Sequence, residues 1–147
     1  MSKAVGQTPR AHGSTKVATE AVAVGANLVL IASMAWSWTS RGAASAGPGY
    51  RLAAQMLSGT FDAFIGRWAG ALLLVVPMCG AGALVALASN TKGSRRVRRV
   101  LGGVAVVLVG GVLFAIRVKS IDRIGTGAWL AIVGSLASLG TAFAATA

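Results

Sequence analysis

Acidic residues are almost missing from this chain. Glu20, Asp62 and Asp122 stand against fourteen Lys and Arg, for a formal net charge of +11 over 147 residues. Cysteine and histidine occur once each, as Cys79 and His12. One cysteine excludes an intramolecular disulfide and any multi-cysteine metal site. Placed inside an apolar run, Cys79 reads as a small buried hydrophobe. One histidine, in the polar start of the chain, excludes a bis-histidine haem built inside a bilayer by this chain alone. Paired carboxylates, a Ser–His or Cys–His arrangement and a metal-ligand cluster are all lacking, so the sequence reads as non-enzymatic and without a cofactor.

Charge of either sign is scarce as well. Charged residues make up 12% of the chain, against about 25% in soluble proteins. What is present instead is apolar: 55% of residues, with a mean hydropathy of +0.73. A strongly basic chain raises the question of nucleic acid, but such a site needs a folded basic face with base-stacking aromatics. Here the basic residues fall between long apolar runs, the arrangement of a membrane protein, and no nucleic-acid partner is expected.

The apolar runs divide the chain. Residues 1–16, MSKAVGQTPRAHGSTK, mix Gly, Pro, Ser and Thr with basic residues and no acid, and read as a disordered basic cytoplasmic tail. A transit peptide would share this composition but carry an arginine-rich amphipathic face, which is lacking. Spans are expected at about 17–38, 68–89, 100–116 and 127–146, together a four-span transmembrane domain over 17–146. The fold class is thus an all-α membrane bundle. A signal peptide competes for the first span, with Ala44-Ser45-Ala46 as a cleavage site; Trp36 and Trp38 at the span's end fit interfacial aromatic anchors better. Pro77 falls mid-span and is expected to kink the second helix.

Four spans place the tail and the loop between spans two and three on one side. That side holds Lys3, Arg10, Lys16, Lys92, Arg95, Arg96, Arg98 and Arg99; the other holds Arg41, Arg51, Arg67, Arg117, Lys119 and Arg123. The margin is narrow, but the cluster around 92–99 is a strong retention signal, which makes both termini cytoplasmic. The lipid bilayer is the first partner implied, and a bacterial plasma membrane the expected location.

Between the first two spans lies AWSWTSRGAASAGPGYRLAAQMLSG. From residue 50 to 65, Leu52, Ala53, Met56, Leu57, Phe61, Phe64 and Ile65 recur at steps of three and four, with Arg51, Gln55, Ser58 and Asp62 on the other side. This predicts a short amphipathic helix, inserted in the outer interface or capping the mouth of the bundle. A bent extension of the second span is the other reading; Gly59 and Gly66, each able to break the run, favour a separate helix.

Small residues recur at helical spacing within the spans. Gly134, Ser138, Ala142 and Thr146 line one edge of the last, Gly111 and Ala115 lie on the third, Ala21 and Gly25 on the first, and Gly66 and Gly70 at the entry to the second. Such edges let backbones approach in lipid, either within the bundle or against another protein. Asn27 is the one strongly polar side chain near mid-span, where an interhelical hydrogen bond is expected. Gly134, Ser138, Ala142 and Asn27 therefore form the candidate helix-packing face. Glu20 sits at the edge of the first span, and no acidic, basic or histidine residue lies at midplane depth, as a proton-coupled pump would need. Arg95, Arg96, Arg98 and Arg99 are candidates for anionic lipid headgroups, beyond their role in topology.

Trp36, Trp38, Arg41, Gly49, Tyr50, Leu52 and later Gly127, Trp129 and Leu130 together resemble the layout of a group of small actinobacterial four-span membrane proteins. In that group a first helix ends in tryptophan, a Gly-Tyr motif follows, and the last helix opens with Gly-x-Trp-Leu. The resemblance implies a four-span layout over about residues 20–146 and carries over no established activity. In span number the chain also resembles small multidrug transporters, which carry an acidic residue within the first span and very short loops. Glu20 at the span's edge and the long first outer loop depart from that pattern. The expected function is a structural or accessory subunit packing on a partner membrane protein complex; the alternative is a small homo-oligomeric transporter or channel lined by Asn27, Ser33 and Thr141.

Overall fold

The computed structural model describes residues 11–41, 47–60, 66–89, 91, 93–116 and 123–144. They form five helices: α1 (Ala11–Ala32), α2 (Gly49–Leu57), α3 (Arg67–Ser89), α4 (Ser94–Ala115) and α5 (Thr126–Ala144), with a 3-10 turn at Ser33–Ala35 closing α1. Four segments are long and apolar enough to cross a membrane: Thr15–Ala35, Arg67–Ser89, Ser94–Ala115 and Thr126–Ala144. At 1.5 Å per residue each rises about 30 Å, the thickness of a bilayer's hydrocarbon core. The four form a ring in which α1 packs on α3 and α5, and α4 packs on the same two from the opposite corner. Ala11, Ser89, Ser94 and Ala144 lie at one end of the bundle, α2 at the other.

Small residues set the close approaches. A Cβ at Gly134 of α5 would lie 3.0 Å from the Ala26 carbonyl oxygen of α1, and one at Gly80 of α3 would lie 3.0 Å from the Asn27 oxygen on the other flank of α1. Gly102 of α4 fits against the Leu139 backbone of α5 at 3.1 Å by the same measure. Backbones this close pack through van der Waals contact, the force that remains when lipid removes the hydrophobic gain between helices. The buried large side chains Leu30, Met56, Leu73, Val76 and Val112 fill the interior between them, while Val22, Val85, Val107, Val133 and Phe114 point outward. α3 continues through Pro77 without interruption.

Several boundaries differ from the sequence reading. α1 begins at Ala11, so residues 11–16 of the expected tail are helical; residues 1–10 lie outside the described residues. The arginine cluster is not in a loop but occupies the first turns of α4, because Arg has a good helix propensity and the apolar run extends straight out of it. The amphipathic helix is shorter than expected. It ends at Leu57 in a Schellman motif: Thr60 N–H donates to Gln55 O at 3.2 Å, Gly59 N–H to Met56 O at 3.2 Å, and Gly59 takes φ +82°. Residues 61–65 lie outside the described residues.

The stripe on α2 is also covered differently from the expectation of insertion in lipid. Leu52, Ala53 and Met56 are buried against the rest of the chain. α2 lies on the start of α3, where a Cβ at Gly70 would meet Ala53 O at 2.7 Å and Met56 Cβ at 2.8 Å. α2 thus caps the mouth of the bundle. The Gly-Pro-Gly before it is a fitted helix start: Gly49 N–H donates to Trp36 O at 2.9 Å, and Pro48 O accepts from Arg51 and Leu52 N–H.

Candidate functional site

Three places combine polar or small residues in ways that local structure alone does not require: the seam between α1 and α5, the α2 end, and the arginine end.

In the seam, Ser138 Oγ of α5 donates to Asn27 Oδ1 of α1 at 3.0 Å. Asn27 Nδ2 in turn donates to Ala23 O at 2.7 Å. Thr141 Oγ1 donates to Ser138 O, and Ser135 Oγ to Ile132 O. Ser33 donates to Leu30 O at 2.7 Å. Gly134, Ser138, Ala142 and Asn27 are all buried along this seam. The predicted packing edge is therefore occupied by the chain's own first helix. Ser33 and Thr141 direct their hydroxyls to their own helix backbones, which satisfies the donor without an external partner.

At the α2 end, the chain after α1 folds back over the bundle. Trp38 is fully buried, and its Nε1–H donates to Ser33 O at 3.2 Å. The interfacial-anchor reading of Trp38 is thus overturned, because three segments wrap the ring. Gly49 presses on it from α2, and Gly127 from α5, where a Cβ would lie 2.9 Å from Trp38 Cδ1. The strand-like piece at Thr39 forms an antiparallel bridge with Ile124. Gly125 N–H donates to Trp38 O at 3.0 Å, Gly127 N–H to Ser37 O at 2.8 Å, and Ser40 N–H to Arg123 O at 3.0 Å. A Cβ at Gly125 would collide with the Ser37 carbonyl oxygen. These backbone groups pair with one another at the mouth, where no regular helix can satisfy them. Sequence reasoning missed this collar; the paired glycines before Trp129 were its one visible sign.

Around the collar stand Trp36, Tyr50, Trp68 and Trp129, each half exposed. Amphipathic rings gathered at one end of a bundle suit a membrane–water interface.

The arginine end is built differently. Arg95, Arg96, Arg98 and Arg99 occupy the first turns of α4, with no acidic residue there. The Arg99 guanidinium carbon lies 5.6 Å from the centroid of the Phe143 ring of α5, within range of a cation–π contact. Its Nε is enclosed without a hydrogen-bond partner. Glu20 of α1 acts electrostatically on Arg98, across the same end. Among the described residues, no group of three or more His, Cys, Asp or Glu stands together to hold a metal. Cys79 is free and buried.

Four apolar spans and an all-helical ring define the class: the chain is an integral membrane protein with a four-helix transmembrane bundle. Compared with known protein families, curated proteins and solved structures, it matches none.

Proposed function

We propose that this chain is a non-enzymatic accessory subunit of a bacterial plasma membrane complex, packing on a transmembrane helix of a different membrane protein through the outward face of α4. The observation that carries the reading is a set of glycines with no use inside the chain. A Cβ at Gly103, Gly110 or Gly111 would meet nothing within 4 Å, and Val107 and Phe114 between and beyond them point outward. Each glycine costs a helix about 0.5–1 kcal/mol relative to alanine. At Gly102 on the inner side of α4 that cost is offset by contact with Leu139; on the outer side an approaching helix would offset it. The packed edge of α5 is already filled by α1; Gly25 of α1 and Gly140 of α5 are open singly, whereas α4 carries three open glycines.

In this reading the arginine end faces the cytoplasm. Lys16 and the four arginines of α4 gather there, and positive charge is retained on the inner side.

Native-size analysis after gentle detergent extraction tests the proposal. A stoichiometric partner of a different sequence, lost on Gly110→Leu/Gly111→Leu while the helical content stays, is the expected result. A homo-oligomer of this chain alone would overturn it in favour of a small transporter or channel.

A further inference from the structure

The depth of the arginines carries a separate inference. α4 is held in register with its neighbours by close contacts: a Cβ at Gly82 of α3 would lie 3.1 Å from Leu101 Cδ1, and one at Gly102 would lie 3.1 Å from Leu139 Cα of α5. Arg98 and Arg99 follow Leu101 toward the end of the bundle by three and two residues, about 3–5 Å at 1.5 Å per residue. α3 continues seven residues beyond Gly82, from 82 to 89, or about 10 Å. Arg98 and Arg99 are thus level with the stretch of α3 that includes Val85, which is 70% exposed on the outer surface. The α-carbons of Arg98 and Arg99 thus share a level with an outward-facing apolar side chain of the neighbouring helix, and their long side chains lean toward the N-terminal end of α4.

Charge gathered this close to an apolar span calls for a counter-ion. Glu20 is the sole carboxylate among the described residues, and it acts on Arg98. Five cations, Lys16, Arg95, Arg96, Arg98 and Arg99, face this one acid. The cluster also begins a helix, where the backbone dipole repels cations. Arg95 and Arg99 are four residues apart and so share one side of α4. Arg99 is held over Phe143 with no carboxylate beside it among the described residues. Two planar forks at the α4–α5 edge match an anion with several acceptor oxygens at the membrane surface.

We propose that Arg95 and Arg99, with Phe143 as the wall that orients Arg99, bind the phosphodiester headgroup of an anionic phospholipid at the α4–α5 edge. The source is the bilayer itself, because the forks stand at the end of an apolar membrane-spanning helix, where headgroups gather. The site is independent of the outward glycine face and of which side of the membrane the arginine end occupies.

The test uses the full-length protein in nanodiscs of phosphatidylcholine alone and of an equal mixture of phosphatidylcholine and phosphatidylglycerol, with thermal unfolding and native mass spectrometry of retained lipid as readouts. Phosphatidylglycerol should raise the unfolding midpoint and remain bound. Arg95→Gln/Arg99→Gln should weaken that retention about tenfold or more, the scale of losing a charged hydrogen bond. Arg99→Lys keeps the charge, so insertion is undisturbed, and should still fall below wild type through loss of the fork. Arg51→Gln, at the opposite end, should match wild type. Equal behaviour in the two lipid mixtures, an Arg99→Lys variant equal to wild type, or an Arg51→Gln loss as large as that of the double variant would each overturn the site. Inorganic phosphate raising the midpoint as much as phosphatidylglycerol would overturn the headgroup as its source.

Discussion

The indole of Trp38 rests directly on the backbone of Gly49: a Cβ at residue 49 would lie 2.6 Å from Cδ1 and 2.7 Å from Nε1. This contact joins the end of the first span to the start of α2, and with Gly127 on the far side it locks the mouth of the bundle. Gly49→Ala and Gly127→Ala should each destabilise the fold by about 1–3 kcal/mol through overpacking. Gly140→Ala, where a Cβ meets nothing within 4 Å, should leave stability unchanged or slightly raised. Thermal unfolding in detergent, followed by circular dichroism, distinguishes these outcomes. A neutral Gly49→Ala would show that the ring can yield.

The Asn27–Ser138 pair should be coupled. In a double-mutant cycle of Asn27→Ala and Ser138→Ala, the interaction energy is expected near ~0.6–1 kcal/mol, the scale of interhelical hydrogen bonds in membranes. Denaturant titration in mixed micelles gives the four stabilities. Strict additivity would mean that the seam is held by packing at Gly134 alone.

Cysteine scanning of α2 separates cover by protein from cover by lipid. In a Cys79→Ala background, single cysteines at 51, 54, 55 and 58 should react quickly with a water-soluble thiol reagent, and those at 52, 53 and 56 slowly. Because Leu52, Ala53 and Met56 are buried by the chain itself, this pattern should survive transfer from membranes to mild detergent. Protection that vanishes in detergent would place the stripe in the bilayer instead.

Topology is checked by reporter fusions at Ala147, near Lys92 and near Ser45. The first two should report the cytoplasm and the third the outside. Neutralising Arg95, Arg96, Arg98 and Arg99 together should weaken that preference. An outside signal near Lys92 would reverse the assigned orientation.

How much of this was legible in the sequence depends on the range of the interaction involved. Membrane spans follow from local composition, because each helix satisfies its own backbone and needs only enough apolar residues in a row to cross. The helix at Gly49–Leu57 was visible for a related reason: periodicity places Leu52 and Met56 on one side whatever lies nearby. Periodicity does not say what lies against that side, and here α3 and the collar cover it. Likewise Gly134, Ser138 and Ala142 announce an edge, but only packing decides that α1 fills it. Arg99 and Phe143 are 44 positions apart, and no local pattern joins them.

The sequence by itself thus determined an all-helical chain with four apolar spans, basic residues concentrated around 92–99 and almost no groups able to do chemistry. Those properties are sums over short stretches. The tertiary structure alone decided that Trp38 goes inside while Trp36 stays half exposed, that Asn27 meets Ser138, and that Arg99 lies over Phe143. Each depends on the register between helices distant in the chain. That register is set by which small residues let two backbones close, and the same Gly and Ala are abundant on every face.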